Sequence, residues 1–166
     1  MRTVLLVMCI TSFLFSQDKL MYTVDQKNNK MMLVGECVMA SFADSAFAWF
    51  EAEKDSYVVL KEYFEDYQTD FENITIKVVL GTWCSDSRRE VPRFIKILEY
   101  IKFPIENLKM ICVDRNKKDL SNEVESLDIK LVPTFIIRKG EKEIGRIIET
   151  PVKSLEEDLL IILMSN

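Results

Sequence analysis

The sequence predicts an α/β fold: a central mixed β-sheet flanked by helices, with a helical insertion near the N-terminus. Three observations carry this reading. From residue 74 onward, apolar runs of strand length alternate with segments of helical periodicity, and two strand-like runs then follow one another before a final helix. That order gives a βαβ half and a ββα half. The run Met110-Ile111-Cys112-Val113 has no polar face, as in a strand covered on both sides. Finally, 166 residues suit one domain with a full core and are too few for two ordinary ones.

Taken in order, the first sixteen residues have the layout of a secretory signal peptide: Arg2 supplies charge, Val4 to Phe15 is an almost unbroken apolar run, and Ser16 is small and precedes polar Gln17. The run falls short of the roughly 20 residues that span a bilayer as a helix, so no stable membrane span is expected after cleavage. Met8 is too large for lipoprotein-type processing at Cys9, which is expected to leave with the leader. The expected organisation is a signal peptide at 1–16 and a single domain at 17–166, with its core at about 31–164. Localisation is then exported, periplasmic or extracellular, where disulfides persist.

Residues 17–30 read as an irregular entry or a weak first hairpin. Met31 to Val38 suits a strand, and Asp44 suits the cap of a helix carrying Phe47, Trp49 and Phe50 and ending near Asp55. Leu60, Tyr63, Phe64, Tyr67 and Phe71 repeat at three and four residues, which predicts a second helix over 57–71. A strand is expected at Ile74 to Leu80, then a helix from Ser87 to Lys102 with Pro92 bending it. Next come a strand at Leu108 to Val113 and a short helix from Asp119 or Ser121 to Leu127. A strand from Thr134 to Arg138, a turn at Lys139-Gly140-Glu141, a strand from Ile144 to Ile148 and a helix from Ser154 to Met164 complete the chain.

Composition excludes several functions. With 22 basic against 27 acidic side chains the net charge is −5, which argues against nucleic-acid and anionic-membrane partners. There is no histidine, so Ser/His/Asp and Cys/His hydrolases are excluded by counting. The cysteines at 9, 37, 84 and 112 lack the paired spacing of structural zinc sites, and no metal site is expected.

The remaining chemistry centres on Thr82-Trp83-Cys84-Ser85-Asp86-Ser87. A cysteine directly after a buried strand and directly before a helix sits at that helix's N-terminus, where unpaired amides and the helix dipole favour a thiolate. Cys84 holds that position. Asp86 and Arg88 are the charged neighbours able to tune it, Asp86 against the thiolate unless it faces solvent or Arg88.

The Trp-Cys motif after a strand, Val132-Pro133-Thr134 before a later strand and the ββα ending resemble the thioredoxin superfamily over roughly Met31 to the C-terminus. Within it, residues 81–92 are similar to exported thioredoxin-like proteins of the Bacteroidetes type with a Trp-Cys-x-Asp-Ser motif. The resemblance implies a thioredoxin-like fold, no cofactor, Cys84 as the attacking thiol and Pro133 as the cis-proline beside it. It also implies that Val132 offers its backbone to an extended substrate and that Trp83 flanks the site. The chain departs from the pattern at Ser87, which stands where the resolving cysteine belongs, and at Val78, which replaces a buried acidic residue. Ser87 can donate a hydrogen bond to a thiolate but cannot close a disulfide. Cys112 reads as a buried core thiol, and Cys37 as a candidate resolver for Cys84.

The function expected is single-cysteine thiol–disulfide exchange on an exported protein or a small thiol. The alternative is a non-catalytic thioredoxin-fold module that binds peptides in the groove around Trp83 and Pro133.

Overall fold

The computed structural model describes residues 20–65 and 71–165; the expected leader, with Cys9, lies outside them. The chain enters through a hairpin, β1 (Leu20–Asp25) and β2 (Lys30–Cys37). Its turn closes with the Asn29 amide donating to the Asp25 carbonyl at 2.8 Å, and Asn29 takes φ 56°, a left-handed conformation that asparagine tolerates. Of the two readings of residues 17–30, the hairpin is the one that the described part, 20–30, adopts, and the sheet already includes Leu20, before the expected core.

Asp44 does cap, but the element it starts is a 3-10 turn at Ser45–Phe47, where its Oδ1 accepts from the Ala46 amide at 2.8 Å. The helix α1 (Trp49–Ser56) follows. Strand β3 (Ile74–Leu80) leads through the helix α2 (Ser85–Tyr100) to β4 (Leu108–Cys112). Strands β5 (Thr134–Lys139) and β6 (Lys142–Ile148) form a hairpin turning at Gly140, φ 59°, and α3 (Leu155–Met164) ends the described chain. Ser154 caps α3 by accepting from the Glu157 amide.

Among the described residues, six strands lie in the order β1-β2-β4-β3-β5-β6. Only β3 and β4 run parallel, joined by the α2 crossover, and every other neighbouring pair is antiparallel. Alternation along the central strands divides the core in two. Val78, Leu80, Met110, Cys112, Phe135 and Ile137 face one cluster, built with Phe50 of α1, Phe94 and Ile97 of α2 and Leu159 of α3. Val79, Ile111 and Ile136 face the other, covered by Val124 and Leu127 of a 3-10 helix at Glu123–Leu127. Lys77 and Lys109 sit opposite each other on β3 and β4, a repulsive pairing that Glu123 of that 3-10 helix relieves by contacting both ammonium groups at 2.6 Å.

The helix expected over 57–71 does not form across its described residues, which hold only a 3-10 turn at Lys61–Tyr63. Glu156 at the start of α3 explains why. Its buried carboxylate accepts from the Tyr57 hydroxyl at 2.8 and 3.0 Å and from the Leu60 amide at 3.1 Å, so residues 57–60 are held by a distant acid. Among the described residues, the aromatic spacing reflects packing along an irregular segment.

Burial and the Glu156 contact push the Tyr57 hydroxyl well above the ordinary tyrosine range. A group raised in the folded state stabilises the fold fully below its unfolded value, about 10, and that contribution is lost as pH rises beyond it. Spectrophotometric titration is therefore expected to show a late-ionising tyrosine that disappears in Tyr57→Phe. Ionisation of every tyrosine near pH 10 in the folded protein would refute this.

Candidate active site

The site forms where β3 hands the chain to α2. Cys84 is the residue preceding the first turn of that helix, with φ −91° and ψ 130°; its amide donates to the Gly81 carbonyl at 2.8 Å and its carbonyl accepts from the Arg88 amide at 3.0 Å. The thiol is thus carried at the N-terminus of a sixteen-residue helix. The helix begins at Ser85, two residues earlier than expected, and it continues through Pro92. The Cys84 side chain is half-buried, packs against the second cluster, and points its S–H at the Val132 carbonyl at 3.1 Å. The Val132–Pro133 peptide bond is cis. The ends of two segments 48 residues apart therefore meet at the sulfur.

Trp83 is fixed from two sides. Its indole N–H donates to the Val113 carbonyl at 2.9 Å, and its ring lies against Gly81, where an added Cβ would come within 2.6 Å of Cε2. Only glycine leaves room for the ring in that place. Thr82, buried beside it, accepts the Leu33 amide on its Oγ1 at 3.1 Å, tying the Cys84 loop to β2. Lys30, Trp49, Trp83 and Arg88 line a recess of about 330 Å³ on this side.

The structure brings Cys84, Trp83, Val132 and Pro133 together, and it places the other expected site residues differently. Ser87 is fully buried, and its Oγ accepts from the Gly81 amide at 3.2 Å, so it braces the loop under the cysteine. Asp86 pairs with Arg89 at 2.9 Å and not with Arg88. Arg88 extends over the Trp49 ring, 5.1 Å from its centroid. Val78, standing where the resemblance implies an acid, is fully buried in the core. Cys37 does not approach Cys84 as a resolver: it lies in the opposite cluster, where its sulfur meets that of Cys112.

Sequence reasoning missed Arg115 and Asp25. Arg115 lies just past β4, its guanidinium 4.8 Å from the centroid of the Trp83 ring and in bidentate contact with Asp25, both bonds 2.7 Å. The Arg115 contact holds the Asp25 carboxyl below the usual carboxylate range, helped by the Lys27 amide. Arg115 is in turn raised above its ordinary value by the hydrogen-bonded Asp25 carboxylate. The cation beside the Trp83 ring is therefore Arg115, anchored by the first hairpin. Ninety residues separate the pair, and no local signal in the sequence connects them.

No family model matches the chain. It is similar to the thioredoxin-like protein R548 of Acanthamoeba polyphaga mimivirus, at 24% identity over 106 residues covering 64% of this chain and 74% of that protein. Among solved structures, thioredoxin-2 of the malaria parasite aligns over 57% of this chain and 84% of its own, with 17% identity and a TM-score of 0.42. Thioredoxin f from spinach chloroplast aligns over 57% and 70%, with 19% identity and a TM-score of 0.41. The chain has a thioredoxin-like fold: a βαβ half and a ββα half in one mixed sheet, extended at one edge by an N-terminal hairpin.

Proposed function

We propose that this protein carries out thiol–disulfide exchange through Cys84 alone, acting on exported proteins or small thiols. The observation that supports it most is the placement of the half-buried Cys84 thiol at the head of α2, against the Val132 carbonyl.

With no histidine in the chain, the thiol proton leaves to water. The thiolate is the reacting form, and it stands at the helix N-terminus. Ionisation also removes the donor that occupied the Val132 carbonyl, so the same event that arms the sulfur frees a backbone acceptor for an extended partner segment. The thiolate attacks one sulfur of a partner disulfide. A Cys84–partner S–S bond forms, the partner's own S–S bond breaks, and the released thiolate takes a proton from solvent, with no net oxidation. A second thiol, from the partner or a small molecule, must then release the adduct, because buried Ser87 offers only a hydroxyl. The recess beside Trp83 suits a side chain of the bound segment.

The experiment is incubation of reduced protein with glutathione disulfide, followed by peptide mass analysis. Glutathione is expected on the tryptic peptide 78–88 of the wild type and is expected to be lost completely in Cys84→Ser. An unmodified Cys84 would sink the reading. A partner peptide retained equally by wild type and Cys84→Ala, with no covalent link, would replace it with the binding-module reading.

A further inference from the structure

Two cysteines that the exchange chemistry does not use lie together in the core. Cys37 and Cys112 are 3% and 0% exposed, and their sulfur atoms are 2.9 Å apart, against about 2.05 Å for a bonded pair. They sit on neighbouring antiparallel strands, Cys37 opposite Met110 and Cys112 opposite Gly35, so they are diagonal neighbours on one face of the sheet. Gly35, directly across from Cys112, contributes no side chain to that face, and the Cys37 side chain reaches the Cys112 sulfur beside it. Alternation along β4 turns Cys112 away from Ile111, whose cluster holds Cys84, so the two thiol sites lie on opposite sides of the sheet.

We propose that Cys37 and Cys112 are the site of a structural disulfide that fastens the N-terminal hairpin to the central sheet. Backbone pairing of β2 with β4 covers three residues, Gly35, Glu36 and Cys37, and the disulfide locks that short seam covalently. The bond forms while β2 is still settling against β4 and both thiols remain reachable. Its oxidant is a disulfide of the glutathione type. One thiolate attacks that disulfide and displaces a first glutathione thiolate; the second protein thiolate then attacks the protein sulfur of the mixed disulfide and displaces the other. Two electrons pass from the cysteine pair to the oxidant, and the two thiol protons end on two molecules of reduced glutathione. Once closed in the dry core, the bond is sheltered from reductants. It spans 75 residues of chain, the kind of long loop whose closure restricts the unfolded state most.

The test is refolding of the reduced full chain in a mixture of oxidised and reduced glutathione, then denaturation without reductant, alkylation and tryptic mapping. Peptide 31–54 linked to peptide 110–115 is expected, with Cys84 outside the linkage. The linked protein is expected to melt about 10 °C above the reduced protein. In Cys37→Ala that redox-dependent difference is expected to vanish while Cys84 remains open to glutathione. Free, alkylated thiols at both positions after refolding, or a link from either to peptide 78–88, would overturn the proposal.

Discussion

Ser87→Cys is expected to shorten the lifetime of Cys84 mixed disulfides by about a hundredfold or more when no external thiol is added. Ser87 sits one helical turn beyond Cys84, on the same side of α2, so a thiol there acts at the high local concentration of an intramolecular group. The wild type offers only a hydroxyl, and its adduct must wait for an outside thiol. The substitution has a cost, because Ser87 accepts the Gly81 amide and sulfur is the poorer acceptor; about 1 kcal/mol is expected for that weakened bond. Decay of a glutathione adduct on Cys84, followed by mass, separates the two proteins directly. Equal lifetimes would mean that release is not limited by the missing second thiol.

Phe94→Ala is expected to produce the largest loss of stability of any single change near the site, about 3–5 kcal/mol for a fully buried phenylalanine. Its ring lies 4.4 Å, centroid to centroid, from that of Phe135. The contact matters to the chemistry because of where these residues lie in the chain. Phe94 belongs to α2, whose first turn follows Cys84, and Phe135 belongs to β5, which begins just after Pro133. The tilted pair therefore ties the helix that follows Cys84 to the strand that follows Val132-Pro133. A fall in the denaturation midpoint should be accompanied by faster alkylation of Cys84 under native conditions. Unchanged alkylation together with the lost stability would show that the Cys84–Val132 contact does not depend on this packing.

What could be read from the sequence was what the chain writes locally. The strand Ile74 to Leu80, the cysteine at the following helix and the late hairpin all depend on patterns a few residues long, and they lie where their periodicities placed them. Trp83 and Cys84 are adjacent, and Val132-Pro133 is recognisable as a dipeptide, so the centre of the site was legible. Its electrostatics were not, because Arg115 is held beside Trp83 by Asp25, and that contact exists only once β1 has paired with β2 and β2 with β4. Arg88 looked like the tuning charge because it is close in sequence, but helix geometry turns it toward Trp49. The 57–71 segment misled for the opposite reason. Its local pattern is strong, and Glu156 overrides it from the other end of the chain. The pairing of Cys37 with Cys112 likewise depends on a strand register that composition does not contain.

The sheet order also constrains how the molecule is made. Strand β2 pairs on one side with β1 at once, but its other side must wait for β4, and Cys112 emerges 75 residues after Cys37. At synthesis rates of about 5–20 residues per second, that edge stays open for roughly 4–15 seconds on each growing chain. During that interval the nascent hairpin can accept a strand from a neighbouring chain as readily as from its own. Slowing elongation ahead of β4, or crowding ribosomes on one message, should therefore favour hairpin-exchanged dimers over monomers.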